Sequence, residues 1–377
     1  VIAFFKNDWK IESLKINPLF GPSPQVLLKM GALRGRDLIE DGKWWTLVSP
    51  IFLHAGIVHL VMNAIMLIVL GPVIERNHGS LHTGIVFIAS GMFGNMMSAL
   101  LQPEYILVGA SGGIYGLMGS CVGDIVLHLR FFFLVLEERQ QDACEIQRRK
   151  KRRREGKSSN EDDIDNAYTI MCRRLWSWLR VFGYAFSLFC DFFLNSLVGL
   201  LPFVDNFAHL GGFLFGFFVS LSSLRVLSAS SFDYRRKQER PTLGRWCHNL
   251  RILALRCGGG LSALFLVSVA IMFLIQSDGT TSPCPKCRYL SCIPLPKPWE
   301  PNDEKNWWTC DGCAVVGAQN ITRGENSYNS RYYANLIMPC PNGDFIEVPV
   351  SEKKFEILEQ VQADLPNICR ENCPNIF

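Results

Sequence analysis

Three short stretches put reactive side chains into otherwise apolar surroundings. HAGIVHLVMN, residues 54–63, holds His54, His59 and Asn63. VGASGGIYG, residues 108–116, holds Ser111 and, four places on, Tyr115. DNFAHLGGFLFG, residues 205–216, holds His209 beside Gly211, Gly212 and Gly216. A serine hydroxyl becomes a nucleophile when a histidine within reach takes its proton. The oxyanion that then forms needs donors aimed at it. His59 and Asn63 are four apart and share a helical face, so they can supply two. His54 is off that face and belongs to the loop before it. A serine at a helix start also has unpaired backbone N–H groups beside it. Asp205, one turn before His209, could orient that base, but its position equally suits a polar residue at a helix entrance.

Each group also has a plainer reading. Polar pairs bond across membrane helices for packing. Gly112, Gly116, Gly119 and Gly123 form a small-residue stripe that lets helices approach closely, and Ser111 extends it. A histidine at a span end is commonly structural. GASGG also fits G-x-S-x-G, the nucleophile elbow of soluble hydrolases, but that motif needs a preceding strand and an α/β sheet. What favours chemistry is the coincidence of nucleophile, base and donors on one side of one membrane.

That membrane is read from the apolar runs. The chain of 377 residues is 49% hydrophobic and 19% charged. Its apolar residues gather in runs of about twenty, the length that crosses ~30 Å of hydrocarbon. These are 52–74, 83–101, 106–128, 179–201, 207–227 and 254–275. The expected fold is therefore an all-α polytopic membrane bundle. VIAFF stops at Lys6, so residues 1–6 read as the tail of a further span. A formal charge of +4 is too small to suggest a nucleic-acid partner.

Positive charge marks the cytosolic ends of spans. Loop 137–177 contains RRKKRRR, and linker 228–253 is also basic. Two spans separate them, so both fit the cytosolic side. In a polytopic chain RRKKRRR is not read as a nuclear signal, and contact with anionic lipid suits it better. Loop 7–51, Ser111, His209 and the tail 276–377 then all fall outside. The tail carries Cys284, Cys287, Cys292, Cys310, Cys313, Cys340, Cys369 and Cys373, and the sequon Asn320-Ile321-Thr322. An even cysteine count in an oxidising compartment reads as disulfides. The two Cys-x-x-Cys pairs also resemble a zinc ribbon. The tail disfavours a mitochondrial location and suits a glycoprotein of the secretory pathway or plasma membrane. Asp191, inside a span, has no role beyond interior packing, although a channel or transporter would use such a residue.

Together the three blocks resemble the rhomboid intramembrane serine proteases. The matching residues are His54-AGIV-His59-LVM-Asn63, Gly109-Ala110-Ser111-Gly112 and Ala208-His209-LG-Gly212-FLF-Gly216, in the family's order. The resemblance covers roughly residues 1–227, with the catalytic core at 52–227, plus a further span at 254–275, and implies a role for each matched residue. Ser111 would be the nucleophile and His209 its general base. His59, Asn63 and the Ser111 N–H would hold the oxyanion. Tyr115 would pack on the His209 ring, and Gly109, Gly112 and His54 would support the site. The substrates would be single-span membrane proteins, cut in the bilayer without metal or organic cofactor. The extra span 254–275 implies the six-plus-one form of secretory-pathway members. Lys43-Trp44-Trp45-Thr46 departs from the family, which often has an arginine at the position of Thr46; this questions how the outer loop is anchored. A rhomboid-like protein that binds membrane clients without cutting them is the alternative.

Overall fold

In the computed structural model, the described residues are 2–128 except 15, 16 and 104; 182–224 except 184, 185, 191, 195, 198 and 202; 242–277; and scattered positions between 283 and 373. The basic run 148–154, Asp191, Cys310 and Cys313 lie outside them, as does the first part of the basic linker.

The helices are α1 (Ile2–Lys6), α2 (Pro24–Lys29), α3 (Gly35–Ile39), α4 (Ile57–His78), α5 (Ser80–Leu101), α6 (111–128), α7 (the described residues of 182–197), α8 (Asn206–Ser223) and α9 (Thr242–Gln276). Among the described residues, three stretches are long and apolar enough to cross a membrane by length and composition: Ile57–Arg76, Ser80–Leu101 and Asn249–Gln276. Helix α6 is different. Nearly every side chain on it is buried, so it can carry polar residues and glycines that a lipid-facing helix could not.

The apolar runs 52–74 and 106–128 are not α-helical from their first residues. Residues 52–56 precede α4. Residues 106–110 form an extended entry to α6, where Leu107 pairs with Leu33 across an isolated antiparallel bridge. The outer loop thus captures the first residues of that run as backbone partners. Helix α9 instead starts earlier than the apolar run, at Thr242.

Glycine stripes set the register of the core. A Cβ on Gly212 would collide with the Gly112 carbonyl, and one on Gly216 with the Gly116 carbonyl. Ser220 Oγ donates to Ser120 Oγ at 2.6 Å. The constant offset of one hundred positions means that α6 and α8 run parallel and in step. Gly94 of α5 likewise packs against the Ala208 carbonyl. The absence of Cβ atoms here lets three backbones meet and brings the starts of α6 and α8 together.

Helix α9 runs against them. Its Ile252 and Leu255 pack at the far ends, with Leu127, Leu221 and Leu224. Its Ala270 and Leu274 pack at the near ends, with Leu107 and Ala208. Arg251 donates to Leu127 O (3.2 Å) and Arg256 to Leu224 O (2.8 Å), so two cations satisfy carbonyls at the C-terminal ends of α6 and α8. The tail that follows α9 therefore leaves at the end where α6 and α8 begin.

That tail contains an antiparallel sheet ordered β1 (Asn320–Glu325), β2 (Arg331–Pro339) and β3 (Phe345–Pro349). Its core gathers Leu336, Met338, Val348, Leu365 and Ile368 around Cys340, Cys369 and Cys373. Cys284 pairs with Cys287, and Cys340 with Cys373. No cluster that could hold a metal ion occurs among the described residues.

The outer loop is anchored without an arginine at position 46. Thr46 is buried and its hydroxyl donates to Lys43 O at 2.7 Å. Asn95 Nδ2 of α5 donates to Leu47 O (2.7 Å), and Ser49 Oγ to Gly31 O (2.6 Å).

Candidate active site

Ser111 opens α6. The first amide bonded back into this helix is that of Ile114, to Ala110 O at 3.1 Å. The N–H groups of residues 111–113 thus have no partner within the helix. Just before it, Gly109 has φ +127°, a conformation that favours glycine, and its N–H donates to Pro50 O at 2.9 Å. A Cβ at Gly109 would also strike the His59 ring. One glycine therefore serves both the turn into α6 and the close approach of His59.

His59 and Asn63 project from α4 toward that turn and are 5% and 8% exposed. Both His59 ring nitrogens and Asn63 Nδ2 are buried without a hydrogen bond to protein. His54 lies before the helix, its ring edge-on to His59 with centroids 5.4 Å apart. Burial pushes its pKa down from the ordinary value, which favours the uncharged imidazole.

His209 sits in the first turn of α8 and is 3% exposed. Its ring stacks on Tyr115 of α6, with centroids 4.2 Å apart and planes 7° from parallel. Tyr115 is held in turn by Phe192 of α7, edge-on to its ring, with the Tyr115 hydroxyl donating to Phe192 O at 3.3 Å. Both nitrogens of the His209 ring lack a hydrogen bond to protein, so His209 and Ser111 are not bonded in this state. Asp205 does not bond to the His209 ring either. It is the N-cap of α8, accepting from Phe207 N–H at 2.7 Å, and its backbone carbonyl accepts from His209 N–H at 3.2 Å.

Ser111, His209, His59, Asn63 and Tyr115 line one cavity of about 30 Å³, enough for one or two water molecules. Met62, Met66 and Ile114 form its apolar wall. Leu19 and Val204 complete it, and neither carried a signal in the sequence. Leu19 is brought there by the outer loop. Asn17 Nδ2 donates to Pro22 O (3.0 Å) and Ala55 O (2.8 Å), while Gly21 and Gly56 let the two backbones touch. Gly112 lines no part of the cavity; it packs against Gly91 and the Ala208 carbonyl.

Such an arrangement can position a nucleophile, a base and several donors around one small polar hole. The class is a helical membrane protein with a buried serine–histidine site. The family model of the Rhomboid domain matches residues 41–138. RHOMBOID-like protein 2 of Arabidopsis thaliana is 29% identical over 82% of this chain and 79% of its own. RHOMBOID-like protein 6, mitochondrial, of the same plant is 27% identical over 78% of this chain and 81% of its own. Inactive RHOMBOID-like protein 8 is 24% identical over 78% of this chain and 72% of its own. The chain is thus similar to RHOMBOID-like proteins over most of its length, and the match to the Rhomboid domain falls on residues 41–138.

Proposed function

We propose that this chain is an intramembrane serine endopeptidase that cuts the transmembrane helices of single-span membrane proteins. The observation that carries the reading is the convergence of unpartnered polar nitrogens on the Ser111 cavity. His59, Asn63 and His209 come from two helices and leave buried nitrogens without a protein partner around one hydroxyl. Burying such groups costs stability, which a role in catalysis explains.

In the proposed mechanism His209 takes the Ser111 proton as Oγ attacks the scissile carbonyl. His59, Asn63 and the N–H groups at the start of α6 stabilise the oxyanion. The protonated His209 then gives its proton to the leaving amine, and water hydrolyses the acyl-enzyme by the same route in reverse. The Tyr115 stack holds the imidazole plane throughout. A substrate helix must first release its carbonyl from its own backbone bonds, so helix-weakening residues near the cut favour cleavage. No step in this scheme calls for a metal or organic cofactor.

The active site opens toward the lumen or cell exterior in this reading, on the side of the disulfide-bearing tail. A secretory-pathway or plasma-membrane location follows from the paired cysteines and the sequon at Asn320. The proposed organisation is outer loop 7–51, catalytic core 52–227 with cytosolic loop 137–177, linker 228–253, span 254–275 and outer tail 276–377.

The test is cleavage of a tagged single-span substrate by the wild type, Ser111→Ala and His209→Ala. Loss in both variants is the expected result. The relative named as inactive, and the missing Ser111–His209 bond, favour a second reading as a client-binding protein. No cleavage across a substrate panel, with no fluorophosphonate labelling of Ser111, would decide for it.

A further inference from the structure

The tail does not simply hang from α9. Hydrogen bonds tie residues 290–293 to residues 200–206, at and just before the start of α8. Ser291 Oγ donates to Asp205 Oδ1 at 2.9 Å. Asn206 Nδ2 donates to Leu290 O at 2.6 Å, and to Ser196 O of α7 at 3.0 Å. Ile293 N–H donates to Leu200 O at 3.0 Å. Ser291 and Cys292 are each only 3% exposed, and Cys292 is disulfide-bonded. The partners are more than eighty positions apart in sequence, so the contact is tertiary.

The place where these bonds land matters. Asp205 caps α8 through Phe207 N–H and accepts from His209 N–H through its carbonyl. His209 is thus one helical turn from the residue that Ser291 holds. Asp205 Oδ1 receives both the capping amide and the Ser291 hydroxyl, so the hydroxyl fixes the carboxylate that fixes the helix start. Helix α8 cannot shift there without moving the imidazole along the Tyr115 face.

We propose that tail residues 290–293 are a positioning element of the active site, with Ser291 orienting the first turn of α8 and so His209. This rests on the protease reading above. Ser291 touches neither substrate nor reacting atoms and acts through Asp205. The Cys-rich tail is then part of the enzyme, and the disulfide-bonded Cys292 lies within the element.

The test uses the full chain in proteoliposomes with a single-span substrate, measuring kcat, KM and Tm. Ser291→Ala is expected to lower kcat by about two- to tenfold, the worth of one hydrogen bond, at temperatures well below Tm and with KM unchanged. Ser291→Thr keeps the hydroxyl and should restore kcat. A wild-type rate in Ser291→Ala, a kcat that falls only in step with Tm, or a threonine variant that fails to rescue would each overturn the proposal while leaving the protease reading intact. A wild type that neither cleaves nor labels at Ser111 would overturn both.

Discussion

The rings of Tyr115 and His209 lie face to face, 4.2 Å apart and within 7° of parallel. Stacking fixes the plane of the imidazole and leaves its edge, where the nitrogens are, free to face the Ser111 cavity. Aromatic pairs of this kind are worth about 0.5–1.5 kcal/mol beyond their area. Tyr115→Ala should therefore lower kcat by about tenfold with little change in KM. Tyr115→Phe keeps the stack and removes the hydroxyl that donates to Phe192 O, so it should stay within about threefold of wild type. Steady-state cleavage of a single-span substrate measures both. Equal losses in the two variants would assign the effect to the hydroxyl rather than the ring.

The donors from α4 make a separate prediction. If Asn63 holds the oxyanion, its amide matters in the transition state more than in the ground state. Asn63→Ala should then reduce kcat by about a hundredfold or more while KM barely moves. His59→Ala should act in the same direction, and the double variant should lose less than the product of the two, because the donors serve one oxygen. A rise in KM at constant kcat would instead make Asn63 a substrate-binding residue.

The pairs His59–Asn63 and Ser111–Tyr115 were legible because each lies on a single helix, where spacing alone fixes which residues share a face. His59 and Asn63 needed no knowledge of the fold to be paired. The glycine stripe was also visible, but not its partner, since the match of Gly116 to Gly216 exists only across two helices. Residues 106–110 read as the start of a span because apolar content does not separate extended backbone from helix; the bridge to Leu33 decides that. Leu19 reaches the site through backbone contacts at Gly21 and Gly56, which composition does not encode. The docking of Ser291 on Asp205 is likewise a tertiary fact between two locally unremarkable residues.

The helix register predicts unequal effects for chemically similar substitutions. A side chain at Gly216 would meet the Gly116 backbone, which cannot swing away. Gly216→Val should cost at least about 1–3 kcal/mol and lower Tm. Gly84, within α5, has open space where its Cβ would lie. Gly84→Ala should be neutral or stabilise by up to about 1 kcal/mol through helix propensity. Thermal unfolding in matched detergent compares them, and similar losses at both sites would contradict the packing assigned to α6 and α8.

Asp205 gives a prediction with a definite sign. Burial pushes its carboxyl pKa up, against hydrogen bonds from Ser98, Phe207 N–H and Ser291 that pull it down. The native state therefore keeps this proton to higher pH than the unfolded chain, whose carboxyl titrates near the ordinary value of about 4. From there upward, until the native carboxyl has also titrated, the native state binds more protons, so this group's contribution to stability falls as pH rises. Asp205→Asn retains an oxygen for Phe207 N–H and Ser291 but cannot titrate. The Tm of the wild type should fall relative to that variant as pH is raised through this window. Two parallel curves would show that the carboxyl titrates alike in both states.

At the far end of α6, Asp124 Oδ1 accepts from His78 Nε2 at 3.2 Å and from His128 Nδ1 at 2.7 Å, with all three residues buried. His78 ends α4, so the carboxylate ties the two helices that carry Asn63 and Ser111 at the end remote from those residues. Position 124 is about 20 Å along the helix from Ser111, at 1.5 Å per residue. Removing one member of a buried polar cluster leaves the others uncompensated, a loss of about 3–5 kcal/mol where charge is involved. Asp124→Ala should therefore lower Tm strongly, and Asp124→Asn, which keeps one acceptor, should lower it less. Fluorophosphonate labelling of Ser111, counted per folded molecule at low temperature, should stay near wild type in both. Folded protein that no longer labels would mean that the α4–α6 tie sets the geometry of the site and not only the stability of the bundle.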